Sequence, residues 1–213
     1  MSLLLRGIRT LVTWDEERPV LTDAALVVDG GRVAWSGPTT AAPPCDEVVD
    51  CADGTVIPGF VDSHTHLVFG GDRTEEFEAR LAGSAYAAGG IRTTVAATRA
   101  ASTDQLRERA ERLAAEALRS GTTTLEVKSG YGLTVEDERR CLGIAAGITP
   151  HRTFLGAHVV PPEATPEDYV ALVSGPMLDA VAEIATAVDA FCEEGAFDGE
   201  QCREVLTAGA AQG

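Results

Sequence analysis

Short β-type stretches separated by turn residues occupy the chain up to about Thr55. Asp29-Gly30-Gly31, between the second and third stretches, has the composition of a hairpin turn. Asp53-Gly54 predicts another turn after the fourth. We interpret residues 1–55 as the N-terminal part of a small β-sandwich-like domain, because so short a piece cannot close a core alone. The four predicted strands cover residues 3–13, 24–28, 32–35 and 47–51.

Beyond Thr55 the pattern changes to strand, loop and helix in repetition, which predicts parallel strands covered by helices. Ser102 and Gln105 form a capping-box pattern, and apolar residues then recur at helical spacing until Gly121. The predicted strands lie near Val56, Thr123, Thr153 and Val188, and helices begin near Ser102, Thr134, Pro166 and Asp198, the third being broken at Gly175-Pro176.

Two histidines end the first of these strands, in the run I-P-G-F-V-D-S-H-T-H at residues 57–66. Side chains alternate along a strand, so His64 and His66 are predicted to point to the same side. Neutral imidazoles are common ligands of divalent metals, and Asp62 is placed to orient one of them. An isolated H-x-H is more often a pair of surface residues, but the Pro58-Gly59 punctuation and the apolar strand favour a metal site here.

This block resembles the first-strand signature of the amidohydrolase superfamily, whose members bind metal at the mouth of a (β/α)8 barrel. The resemblance implies an α/β fold in which residues 56–213 form the first half of such a barrel. A complete barrel needs eight strands and about 250 residues, whereas four strand and helix units are predicted here. A half-barrel leaves two open sheet edges and an apolar inner face for a partner to cover.

Further blocks at the predicted strand ends narrow the resemblance. They are H-T-H-L-V-F-G-G-D-R, K-S-G-Y-G-L and F-L-G-A-H, with L-A-G near Leu81 and G-G-I-R-T-T at residues 89–94. Together they resemble the imidazolonepropionase family over all 213 residues, which correspond to roughly the first half of that family's chain. The stretch from Gly83 to Gly90 is several residues shorter than the family's usual connection.

The resemblance implies a hydrolase of histidine degradation that opens 4-imidazolone-5-propanoate to N-formimidoyl-L-glutamate with a metal-activated water. It makes His64 and His66 ligands of one divalent ion, zinc or iron, and places Arg73, Tyr131 and His158 around the substrate, with His158 also catalytic. The family's remaining ligands, a histidine and an aspartate, and its acid/base carboxylate come from later strands that this chain lacks. The chain is therefore expected to be inactive alone.

Each substrate-side role has a physical reason and an ordinary alternative. Arg73 offers a planar donor fork for the propionate carboxylate, and is otherwise a solvated loop charge. Tyr131 lies between two glycines that let its hydroxyl approach a ligand, and otherwise fills a gap in the core. His158 can donate a hydrogen bond to a ring carbonyl, and is otherwise a satisfied core histidine. His151 matches no motif and is interpreted as structural.

Lys128 is the only lysine, within the predicted strand T-T-T-L-E-V-K. Some amidohydrolases bridge two metals with a carboxylated lysine. We prefer the simpler interpretation that Lys128 is structural and pairs with a nearby carboxylate such as Glu126.

Two other hypotheses remain open. A non-catalytic half-barrel could act by self-association, which a stable homo-oligomer with weak or no metal binding would indicate. Another cyclic amide hydrolase or an aminohydrolase of the same superfamily would act equally well on a ring without the propionate tail.

Composition limits the partners. The net charge of −16 argues against nucleic acid and anionic membranes, which attract basic surfaces. The chain contains no apolar run of membrane-spanning length and no leader pattern, so a cytoplasmic location is expected. Its five cysteines lack metal-site or disulfide spacing and are expected to be reduced. The expected partners are the small-molecule substrate and either a second copy or a complementary C-terminal half.

Overall fold

The computed structural model describes residues 1–83 and 89–213. The chain divides into two compact units, Met1–Gly59 and Phe60–Gly213. The assignment of residues 1–55 to a β-sandwich-like domain stays a prediction. The expected shortening between Gly83 and Gly90 falls on residues 84–88, which lie outside the described part. Within the described ranges, every helix is too short or too polar to span a membrane.

The first unit is a four-stranded sheet in the order β3-β2-β1-β4. β1 and β2 are antiparallel, as are β2 and β3, whereas β4 runs parallel to β1. The predicted hairpin is confirmed, because Gly30 and Gly31 join β2 to β3 with φ angles of 56° and 75° that suit glycine. The strands are β1 (Ser2–Val12), β2 (Val20–Asp29), β3 (Arg32–Pro38) and β4 (Glu47–Val56).

The turn predicted at Asp53-Gly54 is wrong, because β4 continues through it. Arg6 of β1 pairs with Asp50, but Ile8 pairs with Gly54, so extra residues bulge from β4 between these two pairs. Asp53 has a φ of 62° within the bulge. Aspartate is one of the residues that tolerate this left-handed conformation, and a bulge uses it without ending the strand.

The second unit contains four parallel strands in the order β5-β6-β7-β8, which confirms the predicted curled half of a (β/α)8 barrel. The strands are β5 (Phe60–Thr65), β6 (Thr122–Lys128), β7 (His151–Ala157) and β8 (Ala187–Ala190). The helices are α1 (Thr74–Leu81), α2 (Gly89–Ala100), α3 (Thr103–Arg119), α4 (Val135–Ala145), α5 (Pro166–Leu172), α6 (Leu178–Val181) and α7 (Gly199–Ala211).

Side-chain caps fix the starts of the long helices. Ser102 accepts from the Gln105 N–H while the Gln105 side chain accepts from the Ser102 N–H, which confirms the predicted capping box of α3. Asp198 and Gln201 form the same box at α7. The sequence analysis did not predict α1 or α2.

The predicted helix break at Gly175-Pro176 is also wrong. Residues Val173–Met177 form a wider π-type turn that joins α5 to α6 without leaving the helical path. A π-type turn accommodates an extra residue, and Pro176 needs no hydrogen-bond acceptor because it has no N–H. Val173 and Met177 are fully buried, so core packing holds the turn in place.

The core of the second unit lies between the sheet and its helices. Phe154 on β7, Tyr169 on α5 and Leu142 on α4 are almost completely buried in one cluster. A second cluster joins Leu106 of α3 to Val127 of β6. Because all four strands are parallel, their C-terminal ends lie along one edge of the sheet, where barrel enzymes place their chemistry.

Candidate metal and substrate site

Four residues predicted for the site come from the C-terminal ends of three neighbouring strands. His64 is the second-last residue of β5, and His66 directly follows that strand. Tyr131 lies on the loop after β6, and His158 directly follows β7. His151 is exposed at the opposite end of β7, so it lies away from this group.

The aromatic rings of these residues form one cluster. The His64 and His66 ring centroids are 5.6 Å apart, as the predicted same-side placement requires. His66 lies 4.9 Å from the Tyr131 ring and 5.2 Å from the His158 ring, with which it is nearly parallel at 14°. Tyr131 and His158 are also 5.2 Å apart. The folding of three strand ends therefore brings together residues that are up to about ninety positions apart in the chain.

Arg73 belongs to the same neighbourhood. Burial lowers the pKa of His158, and the nearby charges of His64 and Arg73 lower it further. Arg73 is thus close enough to the ring cluster to act on it electrostatically. Its predicted role towards the propionate stays a prediction.

His66 is held in its neutral form. Burial lowers its pKa to about 3, and the neighbouring His158, His64 and Lys128 add to the effect. Its Nδ1 atom is buried and has no hydrogen-bond partner among the described residues. A neutral imidazole with an unpartnered nitrogen is the form of histidine that binds metal.

His158 makes a hydrogen bond that fixes its tautomer. Its Nδ1 lies 2.9 Å from the carbonyl oxygen of Gly130. A carbonyl can only accept, so Nδ1 carries the proton and, in the neutral ring, Nε2 is an acceptor. The geometry therefore favours a role in which His158 accepts a hydrogen bond from a ligand N–H, instead of the donation to a carbonyl that the sequence suggested.

Lys128 pairs with carboxylates, which confirms the preferred interpretation. Its Nζ donates to Glu126 Oε1 at 2.7 Å and to Asp189 Oδ2 at 3.0 Å. Burial by itself would lower the pKa of Lys128, but these two hydrogen-bonded partners raise it. Asp189 was not anticipated, although it lies on β8 near the strand end.

The two histidines fit a divalent metal but supply only part of its coordination. Within the described ranges, no group of three or more histidine, cysteine, aspartate or glutamate side chains is arranged to hold an ion. Asp62 accepts a hydrogen bond from the His64 backbone N–H at 3.3 Å, and this bond steadies the strand end instead of orienting the ring. Two neutral imidazole nitrogens suit zinc and other first-row divalent ions.

Three residues near the rings were not predicted from the sequence. Phe191 stands edge-on to His158 with ring centroids 5.8 Å apart, and it directly follows the end of β8, so the strand-end rule could have identified it. The Phe69 and Tyr131 ring centroids are 6.4 Å apart, and the Arg109 guanidinium carbon lies 4.2 Å from the Phe69 ring centroid. Glu138 lies behind the Tyr131 loop, and no sequence signal distinguishes it from other helix glutamates.

Comparison with known proteins shows which proteins this chain resembles in sequence. The Amidohydrolase family model matches residues 55–137. Imidazolonepropionase from Mycolicibacterium smegmatis is 61% identical over 219 aligned positions, which cover 100% of this chain and 55% of the relative. Over its whole length this chain is therefore similar to about half of an imidazolonepropionase. Imidazolonepropionase from Streptomyces griseus is 59% identical and covers 91% of this chain and 50% of the relative. The chain spans about half the length of the curated relatives it matches.

Solved structures support the amidohydrolase fold of this chain. Guanine deaminase from C. acetobutylicum, solved with bound guanine, superposes with a TM-score of 0.62 at 14% identity, covering 100% of this chain and 51% of that one. Atrazine chlorohydrolase TrzN from Arthrobacter aurescens TC1, solved in complex with zinc, gives a TM-score of 0.55 at 19% identity, covering 98% and 50%. At these identities the likeness shows the amidohydrolase fold alone.

Proposed function

We propose that this chain supplies the first half of an imidazolonepropionase site, which opens 4-imidazolone-5-propanoate to N-formimidoyl-L-glutamate. The observation that carries the proposal is the cluster of His64, His66, Tyr131 and His158 at the ends of three parallel strands. The cluster occurs in a chain 61% identical to a curated imidazolonepropionase.

His64 and His66 are the proposed ligands of one divalent ion, zinc or iron. When bound, such an ion would polarise a carbonyl and lower the pKa of water towards about 7. The contribution of the chain is to keep the His66 imidazole neutral, since burial lowers the pKa of His66 to about 3. Lys128 is not among the proposed ligands, because it pairs with Glu126 and Asp189.

The substrate contacts follow from charge and donor direction. Arg73 is proposed to bind the propionate carboxylate with its two-pronged guanidinium. Tyr131 presents a phenol beside both His66 and His158. Neutral His158, with Nδ1 committed to Gly130, accepts a hydrogen bond from a substrate ring N–H through Nε2. These contacts orient the ring so that one face is open to attack by water.

The remaining metal ligands and the acid/base carboxylate are proposed to come from a second half. In this view residues 56–213 form the half-barrel, and residues 1–55 form part of a β-sandwich-like domain that the second half completes. A complementary C-terminal half is therefore the proposed partner, alongside the small-molecule substrate.

Metal titration and ring-opening assays test this proposal. Calorimetric titration with zinc should detect binding to the unmodified chain, and His66→Ala should abolish it, while His151→Ala should bind as the unmodified chain does. Ring opening should be undetectable with the chain alone and should appear after the second half of the Mycolicibacterium smegmatis relative is added. Turnover by the chain alone, or zinc binding unchanged in His66→Ala, would contradict the proposal.

A second candidate function is self-association by a non-catalytic half-barrel. Phe60 and Val61 on β5 are 57% and 68% exposed, and within the described sheet β5 pairs only with β6. An apolar strand with a free edge can pair with another chain. A homo-oligomer that binds no zinc would favour this candidate over the enzyme.

A further inference from the structure

The loop that carries Tyr131 is wrapped around a buried carboxylate. Glu138, on α4, is completely buried. Its Oε2 accepts from the Gly130 N–H at 2.9 Å, and its Oε1 accepts from the N–H groups of Gly132 at 2.8 Å and Leu133 at 2.7 Å. Burial raises the pKa of this carboxyl, and hydrogen bonds from the Ser129 side chain and from the three N–H groups oppose that effect. Three N–H groups converging on two oxygens match a carboxylate, which can only accept.

The backbone of the loop is shaped to make these bonds. Gly130 has a φ of 108°, and a Cβ there would lie 2.8 Å from the Leu155 oxygen. Gly132 has no room for a Cβ either, because it would lie 2.6 Å from the Asp137 carbonyl carbon. The two glycines therefore let the loop close tightly over the first turn of α4.

The loop that Glu138 holds is connected to the ring cluster through Tyr131 and through Gly130. Tyr131 lies between the two glycines whose N–H groups Glu138 holds, and its ring contacts His66 and His158. The carbonyl of Gly130 accepts the hydrogen bond from His158 Nδ1. Glu138 thus acts indirectly on Tyr131 and His158, two of the side chains proposed to contact the substrate.

We propose that Glu138 is a positioning residue of the site, which fixes the Tyr131 loop and, through the Gly130 carbonyl, the Nδ1-protonated tautomer of His158. The effect of Glu138 on catalysis rests on the proposed function. Its structural content is independent of metal, substrate and the second half. A buried carboxylate that merely stabilised the fold would leave the tautomer of His158 unchanged when it is altered.

Glu138→Gln separates the two roles with little change in shape. The glutamine oxygen can still accept from Gly132 and Leu133, but its NH2 group then faces the Gly130 N–H, donor against donor. The hydrogen bond to Gly130 is lost, and this residue is the one whose carbonyl holds His158. Glu136→Gln is the matched control, because Glu136 lies exposed on the same helix.

Nitrogen NMR at pH 8, on the chain labelled at its histidines, measures the tautomer directly. The His158 signal is assigned by its loss in a His158→Gln variant. The unmodified chain and Glu136→Gln should show His158 protonated at Nδ1, and Glu138→Gln should lose that signal in favour of the Nε2-protonated form. An unchanged signal in folded Glu138→Gln, or its absence from the unmodified chain, would overturn the proposal.

A second measurement applies if Glu138→Gln does not fold. Amide hydrogen exchange in the unmodified chain should show the N–H groups of Gly130 and Gly132 protected, and rapid exchange there would overturn the proposal. In the assay with the second half added, Glu138→Gln should lower kcat/KM by about 10-fold or more, as loss of an outer partner commonly does. Failure of the unmodified pair to turn over would count against the proposed function, whereas the tautomer result concerns Glu138 alone.

Discussion

At the residue scale, Lys128 shows how a buried charge is compensated. Its side chain is 8% exposed and bonds both Glu126 and Asp189. Lys128→Met would leave the partly buried Glu126 without its cationic partner, so we expect a loss of about 3 kcal/mol in the free energy of unfolding, measured by urea denaturation. Arg107→Ala, which removes an exposed pair with Asp104, should cost no more than about 0.5 kcal/mol. Equal losses would contradict this account.

Replacement of glycine by alanine is expected to have opposite effects on stability at Gly130 and at Gly143. A Cβ at Gly130 would lie 2.9 Å from His158 Nδ1 on a backbone with φ of 108°, so Gly130→Ala should destabilise by about 2 kcal/mol. Gly143, inside α4, has no atom within 4 Å of an added Cβ, and Gly143→Ala should stabilise by about 0.5–1 kcal/mol. Thermal unfolding of both variants checks the signs, and a stabilised Gly130→Ala would refute the close approach.

The sequence identified those site residues that lie at strand ends. His64 and His66 could be predicted as a pair because side chains alternate along a strand. His158 was predicted only through the resemblance of its motif to the family. Asp189 could not be paired with Lys128, since the two are 61 positions apart and only the folded sheet brings them together. Glu138 was missed for the same reason, because its partners are backbone N–H groups whose directions depend on the loop.

At the element scale, the capping box of α3 is a local device with a measurable contribution. Ser102→Ala removes the acceptor for the Gln105 N–H, so we expect the free energy of unfolding to fall by about 1 kcal/mol. Amide exchange should quicken in the first turn of α3. Ser120→Ala is the control, since Ser120 ends the same helix through its backbone N–H. A similar loss in both variants would show that the cap contributes nothing specific.

Helices and strands could be predicted where the local sequence signals agreed. The predictions were wrong where tertiary packing overrode those signals. The caps at Ser102 and Asp198 give helix starts that need no tertiary information. Gly175-Pro176 and Asp53-Gly54 have the composition of breaks, yet the chain passes through both as a π-type turn and a bulge. In the first case the flanking residues Val173 and Met177 are buried in the core, and in the second the residues around the bulge are paired with strand β1.

At the scale of the whole molecule, the free edge of β5 and the net charge of −16 act in opposite directions. Exposed Phe60 and Val61 favour pairing with a second copy, whereas like charge opposes it. Salt screens that repulsion, since the Debye length falls from about 30 Å at about 0.01 M to about 8 Å at about 0.15 M. We therefore expect self-association to strengthen with salt and with protein concentration in sedimentation equilibrium experiments.

A pair of matched variants locates this association on β5. Val61→Asp places a charge on the free strand and should weaken self-association by at least about 10-fold, the equivalent of about 1.4 kcal/mol. Val33→Asp makes the same change at a residue of the first unit that is 64% exposed, compared with 68% for Val61. Because the two variants have the same net charge, a difference between them reports the position of the contact and not general repulsion. A chain that stays monomeric at every salt concentration, or equal weakening by both variants, would show that β5 is not the edge that associates.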